Sequence, residues 1–485
     1  MRWEDARRVR YSEFESAVQQ HDPLELLPIV ANKSSRLPEF EGFAKAWERF
    51  APWDLAGIAR SSILTSNRSR SKAVTEDRLR RLRNLFEQIE TTPQDDFKMV
   101  PFLLGKAYEQ SQYQLSAKED LIRTTILMLE TDIKYPNAKS ASDWTPILNA
   151  PFEDVALSTL SIYAVVRDQR GVFNREWVQQ SYEANIHGLA PVTSVMGTLD
   201  RLTASVNEAR QDGLNAAQLP GGLQKYGYNP LIKTPLIDLG NGNICAPQNS
   251  LVLRSFSPEN LYYLGWKQWP KDFGREFGDR VEAYTGNQLN HTDQLEVLPE
   301  IRWGKSGNLS VDWYLITPSA TILIECKSAR TTLTARAGDT TAVETISTKL
   351  TRGYEQINES VNQIMTGNSK FSAIPRDRPM IGLVVTAEPC YLANTDDIRN
   401  LLPATEIPVL TVSLREIEHL SSLPGDVIGD ALLKVVNDPV LFTYDLYASI
   451  RDVIGRESFG LRNKLIDNAY LKYVMPEKLW PKVDA

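Results

Sequence analysis

Cysteine and histidine are scarce in this chain, three and four residues respectively among 485. Cys245, Cys326 and Cys390 lie far apart and fit neither a disulfide framework nor a zinc-site spacing. His21, His187, His291 and His419 are equally scattered, with no HExxH pair, so a metal held by imidazole or thiolate is not expected. Long apolar runs are missing too. No stretch approaches the roughly 18 consecutive apolar residues that span a bilayer. The opening MRWEDARRVRYSEFE lacks the apolar core of a secretory signal. A cytoplasmic protein without a membrane partner is therefore expected. The glycine fingerprints of nucleotide binding are absent as well. Val100 stands where a phosphate loop ending in Gly105-Lys106 needs its first glycine, and Pro299 stands in the same place before Gly304-Lys305-Ser306. No ATP requirement is expected.

What is present is ordinary in bulk. Hydrophobic residues make up 42 % and charged residues 24 %, close to a soluble globular average. The length suits two to four domains. A formal net charge of −7 argues against non-specific coating of nucleic acid. It leaves room for an enzyme with one local basic groove.

Residues 1–225 read as mostly helical. Thr75 is an N-cap for TEDRLRRLRNLFEQIE, in which Leu79, Leu82, Phe86 and Ile89 recur at helical spacing. Similar stripes mark 118–133 and 175–186. Glycine and proline thicken at LPGGLQKYGYNP (219–230), and the segment 226–268 carries a Gly-Asn-Gly-Asn turn between short apolar runs, a β-hairpin connecting region. From 269 to 418 the order is helix, three strands, helix, strand, short helix, strand: a mixed α/β domain with a central sheet. Residues 419–485 return to helical patterns. The expected fold is α+β and multidomain.

The chemistry concentrates in Ser310–Lys327. Two β-prone runs flank Pro318-Ser319, good turn material. A hairpin centred there sets Ile316 opposite Thr321, Tyr314 opposite Leu323, and Asp312 opposite Glu325. Cross-strand partners share a face, and Lys327, two residues on from Glu325, projects from it too. Cys326 points the other way. Two carboxylates and an ammonium thus converge. Hard cations such as Mg²⁺ take one or two carboxylates together with waters and phosphate oxygens. Asp312 and Glu325 supply the carboxylates, and the Cys326 backbone carbonyl supplies a neutral oxygen. Without an ion the paired acids repel, and one stays protonated. The apolar run Ile322-Leu323-Ile324 implies a strand buried on both faces.

Asp312, a gap of twelve residues, and then Glu325-Cys326-Lys327 resembles the PD-(D/E)xK nuclease superfamily, the restriction-endonuclease-like fold. Gly278-Asp-Arg-Val-Glu282-Ala-Tyr284 is similar to the G-x-x-apolar-E-x-Y pattern of that fold's first core helix. The resemblance implies that Glu282 reaches the metal site. It also implies that Gln356, on the helix after the ExK strand, lies near it. PMIGLVVTA and IPVLTVSL would be the remaining core strands, so the likeness covers about 145 residues. Val311 stands where many members have proline. The family resemblance implies a Mg²⁺-dependent endonuclease, with Mn²⁺ as a substitute, acting on DNA more often than RNA. It also implies a setting in bacterial anti-phage defence or restriction.

Blander explanations compete. The acidic hairpin as a cross-strand ion pair, Glu282 as a solvated helix residue and Glu300 as a strand-surface charge need no function. Arg68, Arg70, Lys72, Arg78, Arg80, Arg81 and Arg83 read first as a solvated helix face and second as a phosphate-contacting surface. Arg302, Lys305, Arg330, Arg336, Lys349 and Arg352 flank the hairpin and are candidates for tracking a nucleic-acid backbone. The Thr331–Thr345 stretch reads as a long polar, substrate-gating loop. The helical half is the candidate surface for a protein partner or activator, and symmetric duplex cutting would favour a homodimer. Two other functions remain open: a catalytically silent nucleic-acid-binding or scaffold subunit, and a transposase-like end-cleaving subunit.

Overall fold

Helical periodicity in the first half becomes helices at the three places the pattern predicts, though the first stops at Glu87, short of Ile89, and the second at Leu129. Glu76–Glu87 buries Leu79, Leu82 and Phe86, and the Thr75 hydroxyl accepts the backbone N–H of Arg78 at its start. Ala117–Leu129 and Arg175–Asn185 are helical as well. The computed structural model describes residues 8–38, 50–66, 72–91, 99–185, 190–292, 295–328, 330–339, 341–455 and 462–475. None of the helices among these residues is long and apolar enough to cross a membrane.

Gly240-Asn241-Gly242 turns the hairpin between strands Leu236–Gly240 and Asn243–Cys245, all three residues at positive φ. An isolated two-stranded hairpin is marginal in water. This one recruits Val172–Asn174 on one side and Thr203–Ser205 on the other, making a four-stranded sheet. As far as Leu264, the 226–268 segment is thus part of the N-terminal body rather than a separate connector.

The chain forms two compact units. One draws on Met1–Thr125, Lys139–Leu264 and Tyr470–Ala485, the other on Ile126–Ala138 and Gly265–Ala469. The four-part division expected from sequence is redrawn accordingly. A short piece of the helical half joins the α/β unit, and the helices after 418 belong to that unit as far as Ala469. Periodicity does not reveal this, because membership depends on contacts between residues some 150 positions apart. The fold remains α+β, with a mostly helical N-terminal half and a mixed α/β unit on a central sheet.

The α/β unit is built from helix α1 (Phe273–Asn290), β1 (Glu296–Pro299), β2 (Trp313–Ile316), β3 (Thr321–Lys327), α2 (Ala342–Met365), β4 (Met380–Thr386) and β5 (Val409–Ser413). Sheet order is β5-β4-β3-β2-β1. β2 runs antiparallel to both β1 and β3, whereas β3, β4 and β5 are parallel. Ile322, Leu323 and Ile324 are fully buried, as their unbroken apolar run predicts for a central strand. Pro299 sits on the edge strand, where its missing N–H costs no ladder bond.

Two glycines set the helices on this sheet. A Cβ at Gly286 of α1 would stand 2.2 Å from the Trp313 ring, so only glycine lets that indole lie against the helix. Trp313 Nε1 then donates to the Glu282 carbonyl at 3.0 Å, locking α1 in register with β2. A Cβ at Gly353 of α2 would stand 2.9 Å from Val384 and 3.6 Å from Lys327 Cε. Helix α2 therefore lies close over the face that carries Lys327.

Candidate active site

The hairpin has the register the turn chemistry predicts: Ile316 pairs with Thr321 and Tyr314 with Leu323. At the Pro318-Ser319 turn, Thr317 closes the loop by donating its N–H to the Ala320 carbonyl at 3.0 Å. The ladder ends at Trp313–Ile324, one residue short of the expected Asp312–Glu325 pair. Asp312 lies just beyond β2, and its Oδ2 accepts the N–H of Cys326 at 2.6 Å. The side chain takes over where the backbone ladder stops. N–H and C=O of one strand residue project to the same side, so the Cys326 carbonyl faces the Asp312 side as well.

Glu325 and Lys327 stand on the same face of β3, and their side chains form an ion pair. Asp312 is 9 % exposed and Glu325 only 2 %. Glu325 Oε1 takes the lysine, while Oε2 is fully buried without a hydrogen-bond partner. Burial pushes the Asp312 carboxyl well above the usual range, and the neighbouring Glu325 and Glu282 charges push it further. Burial likewise raises Glu325 against the pull of Lys327, with Glu282 adding to the rise. Glu282 is itself raised by burial, opposed by Lys134 and reinforced by Glu300 and Asp279. Three acids from α1, the approach to β2, and β3 therefore share one field. Cys326 is directed elsewhere: its thiol neighbours Thr285 of α1, and burial pushes its pKa up.

These residues fit a hard divalent cation. An orphaned buried carboxylate oxygen, and acids held away from ionisation by burial and by neighbouring acids, are what a cation would neutralise. Among the described residues no group of three or more His, Cys, Asp or Glu side chains could cage an ion unaided. Mg²⁺ does not need such a cage, since it retains waters and takes substrate phosphate oxygens alongside one or two carboxylates. Asp312 and Glu325, with the Cys326 carbonyl, would hold it, and Glu282 stands beside them.

Gln356 plays a different part from the one its position suggests. Its Nε2 donates to the Ser310 carbonyl at 2.8 Å rather than to a site carboxylate. Ser360, one turn on, accepts the N–H of Val311 at 2.9 Å. Together they fix the two residues before Asp312. Ser360 escaped the sequence reading, as did Lys134, whose Nζ lies 3.5 Å from Glu282 Oε1. Nothing in the local pattern of either residue signals a site.

The basic candidates divide. Arg330 and Arg336 both bind Glu388, and Arg352 is paired with Glu355 and Glu359. Arg302, Lys305 and Lys349 are exposed. The Thr331–Thr345 stretch is not a long loop. It contains the helical turn Leu333–Arg336, anchored through Arg336 to Glu388, and α2 begins at Ala342. In the N-terminal unit, Arg80 pairs with Glu76 and Asp77, Arg83 pairs with Asp54 and Glu87, and Lys72 donates to Gln20. Those charges are engaged locally, as a structured helix face would have them. Arg68 and Arg70 lie outside the described residues, as does His187.

No protein-family model matches the chain, and no curated protein is found to be similar to it.

Proposed function

We propose that this protein is a Mg²⁺-dependent nuclease that hydrolyses phosphodiester bonds of DNA. The observation that carries the reading is the buried Asp312–Glu325 pair beside Lys327, at the end of a strand enclosed on both faces, with one Glu325 oxygen orphaned. A solvated ion pair would need neither the burial nor the third acid, and burying like charges is costly unless something compensates them. Mg²⁺ held by these carboxylates would polarise a phosphate oxygen and acidify a bound water. Lys327, steadied by Glu325, donates to the phosphate and offsets the negative charge that grows on it. Gln356 and Ser360 hold the Ser310–Val311 backbone, so that Asp312 keeps its orientation during the reaction. DNA is the proposed polymer, and restriction or anti-phage defence the proposed setting, because the D…ExK resemblance implies both.

The test is incubation of the full-length protein with supercoiled, linear and single-stranded DNA and with RNA, in Mg²⁺, Mn²⁺ or EDTA. Metal-dependent DNA cleavage that disappears in Lys327→Ala and Asp312→Ala is expected. Cleavage that survives both substitutions would remove the site assignment, and preferential RNA cleavage would change the substrate.

A further inference from the structure

The stretch 126–138 precedes helix α1 by more than a hundred residues, yet it is built into the α/β unit. It is tied down along its length. Arg280 Nη1 donates to the carbonyls of Leu127 and Met128 at 3.1 and 3.2 Å, and Asn287 Nδ2 donates to the Glu130 carbonyl at 3.3 Å. The Tyr135 hydroxyl donates to Asp272 at 2.8 Å. The guanidinium that grips this strap is itself buried, paired with a fully buried Glu276. The backbone so anchored carries Lys134 to the edge of helix α1. Lys134 is 81 % exposed, and its Nζ stands 3.5 Å from Glu282. Its charge also acts on Asp279, one turn before Glu282 on α1. With its side chain this open to solvent, Lys134 stands at the rim of the acidic site.

We infer that Lys134 is a substrate-positioning residue which binds a DNA phosphate flanking the scissile one. The inference rests on the nuclease reading. The chemistry is simple: a phosphodiester entering this site meets the fields of Asp279, Glu282, Glu300, Asp312 and Glu325. A cation at the rim offsets part of that repulsion as the phosphate approaches. An exposed ammonium already drawn to Glu282 can exchange that carboxylate for a phosphate oxygen with little reorganisation. A flanking contact contributes to binding and alignment, whereas Lys327 contributes to the chemical step.

The experiment compares wild type, Lys134→Ala, Lys134→Arg and Tyr135→Phe, using a labelled DNA duplex. Binding is measured in Ca²⁺ across a salt series, and cleavage in Mg²⁺ under single- and multiple-turnover conditions. Lys134→Ala is expected to weaken binding about 5- to 10-fold and raise KM in parallel, with kcat within about 2-fold of wild type. Its log K against log salt slope should be shallower by about 0.9, the signature of one lost phosphate contact. Lys134→Arg should restore both. Tyr135→Phe, which loosens the strap without removing charge, should lower the melting temperature and leave the salt slope alone. An unchanged salt slope in Lys134→Ala, or a fall in kcat with binding intact, overturns the inference while leaving the nuclease reading in place. A wild type that neither binds nor cuts DNA overturns both.

Discussion

Replacing Asp312 by asparagine should make the metal-free protein more stable while abolishing its activity. Asparagine keeps an oxygen that can accept the Cys326 N–H, so the local geometry survives. It removes one of two buried like charges. Unit charges about 5 Å apart repel by roughly 3 kcal/mol at an effective dielectric constant of about 20. Partial protonation and the Lys327 counter-charge already relieve some of this, so a net gain of about 1–2 kcal/mol is expected at pH 8. For a unit of roughly 220 residues that corresponds to a rise of about 2–8 °C in melting temperature. The sign with pH follows from the direction of the shifts. Asp312 and Glu325 are both raised in the folded state. Their contribution is therefore fully favourable below the ordinary carboxylate range and is lost as pH climbs through the raised values. Wild type in EDTA should lose stability between about pH 5 and pH 8, and the advantage of Asp312→Asn should shrink toward zero at the acid end. Mg²⁺ should reverse the order at pH 8, stabilising wild type alone. Thermal melts at both pH values, with EDTA or Mg²⁺, decide the matter. A variant that melts below wild type in EDTA at pH 8, or a gap of equal size at both pH values, refutes the reasoning.

Other outcomes follow from the same contacts. Lys327→Ala should lower single-turnover cleavage by at least about 100-fold, a loss typical of removing one transition-state donor, with DNA affinity nearly unchanged by equilibrium binding. Gln356→Ala should cost about 1 kcal/mol in urea unfolding for its lost hydrogen bond and reduce kcat without raising KM, because it acts through the Ser310 backbone. Ile324→Ala should destabilise by about 2–5 kcal/mol in the same assay, since the residue is fully buried in the central strand. The melting-temperature increase produced by Mg²⁺ in wild type should grow as pH rises, because protons and metal compete for the same raised carboxylates.

Much of the α/β unit was legible in the sequence because its signals are local. The Pro318-Ser319 turn with β-prone flanks determines the hairpin register, and that register carries Asp312 and Glu325 to one end. The run Ile322–Ile324 marks the buried strand. Where geometry depended on the end of a ladder, local reasoning fell short: Asp312 leaves the strand and caps it, which no period-2 pattern encodes. The resemblance puts Gln356 near the site, whereas its hydrogen bond goes to the Ser310 backbone carbonyl, which only the packed α2 brings within reach. Strap residue Lys134 and the shared four-stranded sheet of the N-terminal unit depend on long-range contacts, for which a single sequence holds no periodic trace. Polarity alone predicts a loop for the stretch after β3. Glu388, 52 residues downstream of Arg336, is what organises it.

Whether Asp312 and Glu325 hold a catalytic cation, as proposed, is read out by titrating the full-length protein with Mn²⁺ and following electron paramagnetic resonance. Saturable binding to wild type is expected at pH 8, weakened at pH 5.5 and abolished in Asp312→Asn and Glu325→Gln, with thermal melts showing both variants folded. Mn²⁺ binding of undiminished strength in either variant, or none in wild type, would contradict the proposal.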